Sequence, residues 1–198
     1  MNKQKRLEKQ IEFILELDKI KSIIRQTYLA NATRKENDAE HSWHLAIMAI
    51  ILEEHFDKDI DLLKVLKMVL IHDVVEIDAG DTFCYNKDAN QDKIIREEMA
   101  AERIYSILPE NQYQQYKSLW EEFEEGQTKE AIFANILDRL QPIMLNFKTN
   151  GMLWIENNIS YKQVLERNEK TLKNGPKEIS NYLITLLNKA VELGYLQK

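Results

Sequence analysis

One run of helically spaced apolar residues leads directly into acid. Leu62, Val65, Leu66, Val69 and Leu70 recur three and four residues apart, which lays them along one face of a helix. The next positions on that face are Asp73 and Glu76. At about 100° per residue, Asp73 falls at the centre of the apolar stripe. His72 lies beside it, four residues before Glu76, so that these two stack. An ionised carboxylate inside a core is very costly without a partner. Either a cation meets Asp73 within the fold, or the helix ends here and the acids are wet. Gly80, just beyond, is a residue on which a helix can end.

A second apolar run repeats the intrusion. In the segment from Ala134 to Leu140, Asp138 shares a helical face with Ala131, Ala134, Gln141 and Leu145. Arg139 is expected to point elsewhere, because residues i and i+1 of a helix do not face each other. His41 opens a third helix. Taken alone it reads as a capping or surface residue, but with His72, Asp73 and Asp138 it completes a mixed imidazole and carboxylate set suited to one divalent ion. Such donors accept Co, Mn, Zn, Ni or Fe without selecting among them, and Mg stays among the candidates. Only His44 and His55 remain, too few to supply a second or third ion with imidazoles. His44 is expected to pack or hydrogen-bond, and His55 to lie at the surface.

Helical periodicity extends over nearly the whole chain. Leu7, Ile11, Ile14 and Leu15 start an amphipathic helix expected to end before Asn31, in a polar stretch from Thr33 to Asp38. Asn37 and Glu40 have capping-box spacing. Trp43 to Leu52 is apolar on almost every side, which predicts a helix buried all round, with Trp43 in the core rather than stacked on a ligand. A polar loop from Thr82 to Gln91 follows. Ile94, Ile95, Met99 and Ile104 mark a helix stopped near Pro109. Tyr113, Tyr116, Leu119, Trp120 and Phe123 mark the next, broken by Gly126. Thr128 can cap another that runs to about Phe147, with Pro142 a potential kink. Ser160 and Gln163 form a second capping-box pattern, Asn174-Gly175-Pro176 a break, and Ile179 to Ala190 the last stripe.

One all-α domain over residues 1–198 is the economical reading, with a core at about 34–145 and C-terminal helices at about 160–193 packed on it. Only five glycines and three prolines disfavour a turn-rich β architecture. The net charge of −6 argues against nucleic-acid polymers and anionic membranes, which need a basic field. Cys84 is the single cysteine, so no internal disulfide forms, and it lacks the context of a catalytic nucleophile. MNKQKRLEKQ has no apolar leader, and no stretch reaches the ~20 apolar residues of a spanning helix, so a cytoplasmic location is expected.

The flanks of these residues carry a resemblance. Arg34 to His41, the block from Leu66 through His72-Asp73 and Glu76 to Gly80-Asp81-Thr82, and Leu137-Asp138-Arg139-Leu140-Gln141-Pro142 resemble the HD-domain phosphohydrolases. Within them the chain looks like the short branch containing the 5′-deoxynucleotidases and HD domain-containing protein 2. The resemblance spans residues 7 to 155. It implies an HD-type helical bundle in which His41, His72, Asp73 and Asp138 bind the metal. Glu76 and Asp81 would flank the attacking water and the leaving oxygen. Arg25 or Arg34 would bind the phosphate, and Lys93 is a further cation that could neutralise its remaining charge. It further implies a small nucleotide substrate, a deoxynucleoside 5′-monophosphate, and a homodimer. Other HD phosphohydrolase activities, on cyclic nucleotides, triphosphates or guanosine tetraphosphate, and a non-catalytic metal- or nucleotide-binding module are the alternatives.

Overall fold

The computed structural model describes residues 1–56, 59–86 and 88–198. Helix α1 (Lys3–Leu17) starts where the Asn2 side chain accepts from the Lys5 amide. It does not continue to residue 30. Asp18–Ser22 tightens into a 3-10 turn, and the chain then forms an antiparallel hairpin, β1 (Ile24–Tyr28) with β2 (Lys35–Asn37). The hairpin register runs Ile24 with Asn37 and Tyr28 with Lys35, so β1 carries extra residues between the two pairs, a bulge. Apart from this hairpin and an isolated bridge between Ser160 and Gln197, the described residues form an all-α domain.

Helix α2 (Asp38–Leu52) begins with the expected capping box: Asn37 Oδ1 accepts from the Glu40 amide, and Glu40 accepts from the Asn37 amide. Its core face is His41, Ser42, Leu45, Met48 and Ala49. The expectation of burial on all sides fails, since Trp43 and Ile51 are each 64% exposed. The helix packs on α3, α7 and the Asp18–Ser22 turn, which leaves its remaining face to solvent. For the same reason Leu7, Ile11, Ile14 and Leu15 on α1 are exposed and Phe13 supplies its buried contact.

Helix α3 (Leu62–Ile71) passes into a 3-10 turn at His72–Val75 and then into the short α4 (Glu76–Ala79). The Tyr105 hydroxyl donates to the Ile71 carbonyl at 3.0 Å and caps the end of α3. Gly80, at φ 75°, turns the chain out of α4 in a conformation that side chains rarely adopt. Helices α5 (Lys93–Tyr105), α6 (Glu110–Glu125) and α7 (Lys129–Lys148) follow, with the left-handed Gly126 ending α6 and α7 running on through Pro142. Ile94, Ile95 and Met99 of α5 face solvent; Ala100, Ala101, Ile104 and Tyr105 carry its burial. The C-terminal elements are α8 (Met152–Glu156), α9 (Tyr161–Arg167), α10 (Glu169–Asn174) and α11 (Lys177–Glu192).

Two apolar clusters result. The larger joins Phe13 to residues of α2, α3, α5, α6 and α7. The smaller packs Trp154, Val164, Leu183 and Leu187 against Ile143 of α7. A cavity lies where elements of both meet, lined from the hairpin, the 72–85 segment, α7 and residues 153–168.

Candidate active site

The structure brings His41, His72, Asp73 and Asp138 together. His41 projects from the first turn of α2 and is fully buried. His72 and Asp73 lie on the 3-10 turn, and Asp138 lies in the middle of α7. His41 Nε2 is 3.1 Å from Asp138 Oδ1 and 3.7 Å from Asp73 Oδ2. His72 Nε2 is 3.0 Å from Asp73 Oδ2 and 3.7 Å from Asp138 Oδ1. These are edge lengths of a coordination polyhedron, since donors ~2.1 Å from one ion lie ~3–3.5 Å apart.

The tautomer of His72 is set from behind. His72 Nδ1 faces the Val69 carbonyl at 3.0 Å, which accepts its hydrogen bond and leaves Nε2 turned toward Asp73 and Asp138. That Nε2 is buried and makes no hydrogen bond. His41 Nδ1 faces Glu36 Oε1 at 3.6 Å, and Gln141 donates to the other Glu36 oxygen at 2.8 Å. Glu36 thus stands behind the His41 ring beyond hydrogen-bond length, in the place where a carboxylate commonly supports an imidazole ligand. Donor chemistry and spacing fit one divalent ion, which His41, His72 and Asp73 could hold with Asp138 beside them.

Without an ion, the charges satisfy one another. Burial opposes a charge on His72, but Asp73 and Asp138 overcome it and raise its pKa to about 10. Burial raises Asp73, but His72 and Arg25 reverse the sign and hold it below the carboxylate range. Asp138 is held low in the same way by His41 and His72.

A second carboxylate set adjoins the first. Asp38, Asp73 and Glu76 place oxygens within 4.8 Å of one another. The 3-10 turn explains why Asp73 and Glu76 share a face, since residues three apart eclipse there. Arg25 occupies this set: one guanidinium nitrogen lies 2.6 Å from Asp73 Oδ2 and 3.0 Å from Asp38 Oδ1. Burial and Asp73 push Asp38 up to about 6. Burial, Asp73 and Asp38 raise Glu76 well above its ordinary value. Asp81, turned inward after Gly80, is raised chiefly by burial.

The cavity beside these groups is lined by Arg25, Glu76, Asp81 and Lys93, together with Gln26 and Thr27. Three consecutive residues of an unbroken strand would alternate sides, and the β1 bulge is what lets residues 25–27 share one wall. Lys93 is paired with Glu97 at 3.3 Å. Arg34 does not reach the cavity. It sits at the hairpin surface and grips Glu40 through both carboxylate oxygens, at 2.8 and 2.5 Å. Arg139 does not point away from Asp138. Its Nε lies 3.9 Å from Asp138 Oδ2, because a long side chain can curl back along the helix, and it lines the cavity with Arg167. His44 Nδ1 faces Gln141 at 3.3 Å, and His55 is exposed. Cys84 lines the cavity, with burial raising its thiol pKa, so it stays neutral and unreactive.

Glu36, Asp38, Gln141, Arg139 and Arg167 are the participants that sequence reasoning did not place. Asp38 and His41 are three apart on one helix start, and Gln141 shares the Asp138 face, so a faint signal existed for those two. Arg167 carried none.

The HD domain family model matches residues 17–180. Among curated relatives, 5′-deoxynucleotidase HDDC2 of Bos taurus is 28% identical over 136 residues, covering 68% of this chain and 64% of that one. The Homo sapiens protein of the same name is also 28% identical, covering 68% and 65%. The chain thus spans slightly less than two thirds of the length of these relatives. Among solved structures, a predicted metal-dependent phosphohydrolase from Magnetospirillum magnetotacticum MS-1 is 44% identical, with a TM-score of 0.93 over 98% of this chain and 96% of that one. A conserved hypothetical protein from Pyrococcus furiosus superposes at TM-score 0.61 with 26% identity, over 92% and 99%.

Proposed function

The chain belongs to the HD-domain family, and on that premise we propose that it is a metal-dependent phosphomonoesterase acting on deoxynucleoside 5′-monophosphates. One observation carries the reading: an imidazole and carboxylate cluster with single-ion spacing opens onto a cavity that also holds Glu76 and Asp81. The names of the HDDC2 relatives and of the Magnetospirillum protein support it.

When bound, the ion polarises a phosphoryl oxygen and lowers the pKa of water. The chain supplies the rest. Glu76, raised by burial and by Asp73 and Asp38, donates to the leaving alkoxide. Asp81 accepts the proton of the incoming water. Arg25 NH1 puts a fixed cation between Asp38 and Asp73, where a second ion would otherwise sit, which supports one ion per chain. A 2′-hydroxyl crowded by Glu76 or a neighbour would cost ~1–3 kcal/mol, a preference of about 10- to 200-fold for the deoxy sugar. A homodimer belongs to the same proposal. Among the described residues no helix is long and apolar enough to cross a membrane.

The test is phosphate release from dAMP, AMP, 3′-dAMP, dATP and cyclic AMP with Co, Mn or Mg. Fastest turnover of dAMP is expected. Faster turnover of dATP or cyclic AMP moves the protein to another HD phosphohydrolase activity, and none with any of them leaves a binding module. A clean monomer by light scattering at micromolar concentration removes the dimer.

A further inference from the structure

Most cations near the cavity are already committed. Arg25 is held by Asp73 and Asp38, Lys93 by Glu97, and Arg34 by Glu40 at the surface. Arg139 and Arg167 differ. Among the described residues, Arg167 has no carboxylate within 4.0 Å. Arg139 has only Asp138, at 3.9 Å, and Asp138 belongs to the ion site. Arg139 is fixed in place by donating to the Arg167 carbonyl at 3.0 Å. This joins the middle of α7 to the end of α9 and puts both side chains in the cavity wall that contains Asp73 and Asp138.

Two like charges lining one cavity repel, and Arg139 is also partly buried. An anion between them removes both costs. The neighbouring ion site fixes which anion fits: one with an oxygen left over for each guanidinium after one oxygen meets the ion. A phosphate monoester has three non-bridging oxygens, and guanidinium forks match them in bidentate pairs. The same two arginines also border a second cavity, lined by Glu124, Glu166 and Glu169. Asp73 and Asp138 line the first cavity and not the second, so only in the first can the arginines and an ion hold one anion together.

We infer that Arg139 and Arg167 form the phosphate seat of this site, gripping the non-bridging oxygens of the substrate's phosphate while the ion holds another. The inference rests on the phosphomonoesterase reading for the identity of the anion. It moves the phosphate-binding role away from Arg34 and Lys93, and it brings the C-terminal α9 into the site.

The experiment titrates inorganic phosphate into the Mn-loaded full chain by calorimetry, for wild type, R139Q, R167Q and R167K, with metal content and circular dichroism measured on each. R139Q and R167Q should raise the phosphate Kd at least ten-fold at unchanged metal content, and R167K should recover part of the loss. R167Q sits at an exposed helix end, so it decides the matter even if R139Q folds poorly. An unchanged Kd in a folded, metal-loaded R167Q overturns the inference, as does a wild type that fails to bind phosphate at millimolar concentration. Nucleotide turnover by the wild-type preparation is read separately. Its absence would fall on the hydrolase reading, whereas the phosphate titration alone decides the arginine pair.

Discussion

Replacing Arg25 with methionine removes one charge from the middle of three buried carboxylates. Arg25 is 2.6 Å from Asp73, 3.0 Å from Asp38 and 3.9 Å from Glu36, with 13% of its side chain exposed. Methionine keeps most of the volume, so the loss is electrostatic rather than a cavity. Removing one partner of a buried ion pair costs about 3–5 kcal/mol, because the other partner is left desolvated and unpaired. For a chain of 198 residues, at roughly 2–4 °C per kcal/mol, that is a Tm lowered by about 6–20 °C. The assay is thermal unfolding by circular dichroism at pH 7 in chelator, then in excess Mn. Bound ion gives Asp73 a new counter-charge, so the loss should shrink when Mn is present. Acidification to pH 5 should also shrink it, because Asp38, with a pKa of about 6 even beside Arg25, is then neutral. A Tm change under about 2 °C in chelator, or the same loss with and without Mn, would refute the claim that Arg25 holds the ion-free site together.

His72→Ala and Asp138→Ala should lower both metal content and turnover, whereas Glu76→Ala and Asp81→Ala should keep the metal and lose turnover; elemental analysis with kinetics on the four variants separates the two classes, and equal metal loss in all four would abolish the distinction. In chelator, the charge on His72 stabilises the fold fully below its unfolded pKa of ~6.5 and is lost as pH rises through its folded value of about 10, so ion-free stability should fall across that window. Metal affinity should run the opposite way, strengthening about ten-fold per pH unit for each proton displaced, which calorimetry in buffers of different ionisation enthalpy reads as proton release. Glu36→Gln should loosen the backing of His41 and weaken metal affinity about 10- to 100-fold without removing any ligand; an unchanged affinity would make Glu36 a bystander. Arg34→Ala breaks only a surface pair with Glu40 and should leave KM within about two-fold, since such pairs contribute ~0–1 kcal/mol.

The helices and the central cluster were legible because both express themselves locally. Capping residues sit at Asn37, Thr128 and Ser160, and acids interrupt apolar stripes at 73 and 138. What could not be read depended on partners distant in sequence. Ile23, Ile24 and Tyr28 keep a spacing that continues helix α1, and only pairing with Lys35–Asn37 makes the segment a strand. Asp38 looked like one more polar residue before a helix. It is fully buried because Arg25 and Glu76, from two other segments, come to lie over it. Trp43 and Ile51 belong to an apolar helix, and nothing in their own spacing says which of its faces the fold will cover. Arg167 lies in a region that carried no motif and reaches the site only because α9 packs beside α7.

An ion held by both His41 and Asp138, 97 residues apart along the chain, would tie remote segments together. A partly folded chain offers only the adjacent His72 and Asp73, two donors with weak grip. The full set forms once α2 and α7 have docked, so the entropy of closing that long loop is met by packing before the ion gains anything from it. Tight binding therefore selects finished molecules. By mass action, an ion at a thousand times its dissociation constant adds about 4 kcal/mol to the stability of those molecules and none to the rest. Removing the ion would thereby also shorten the time the folded chain withstands a protease.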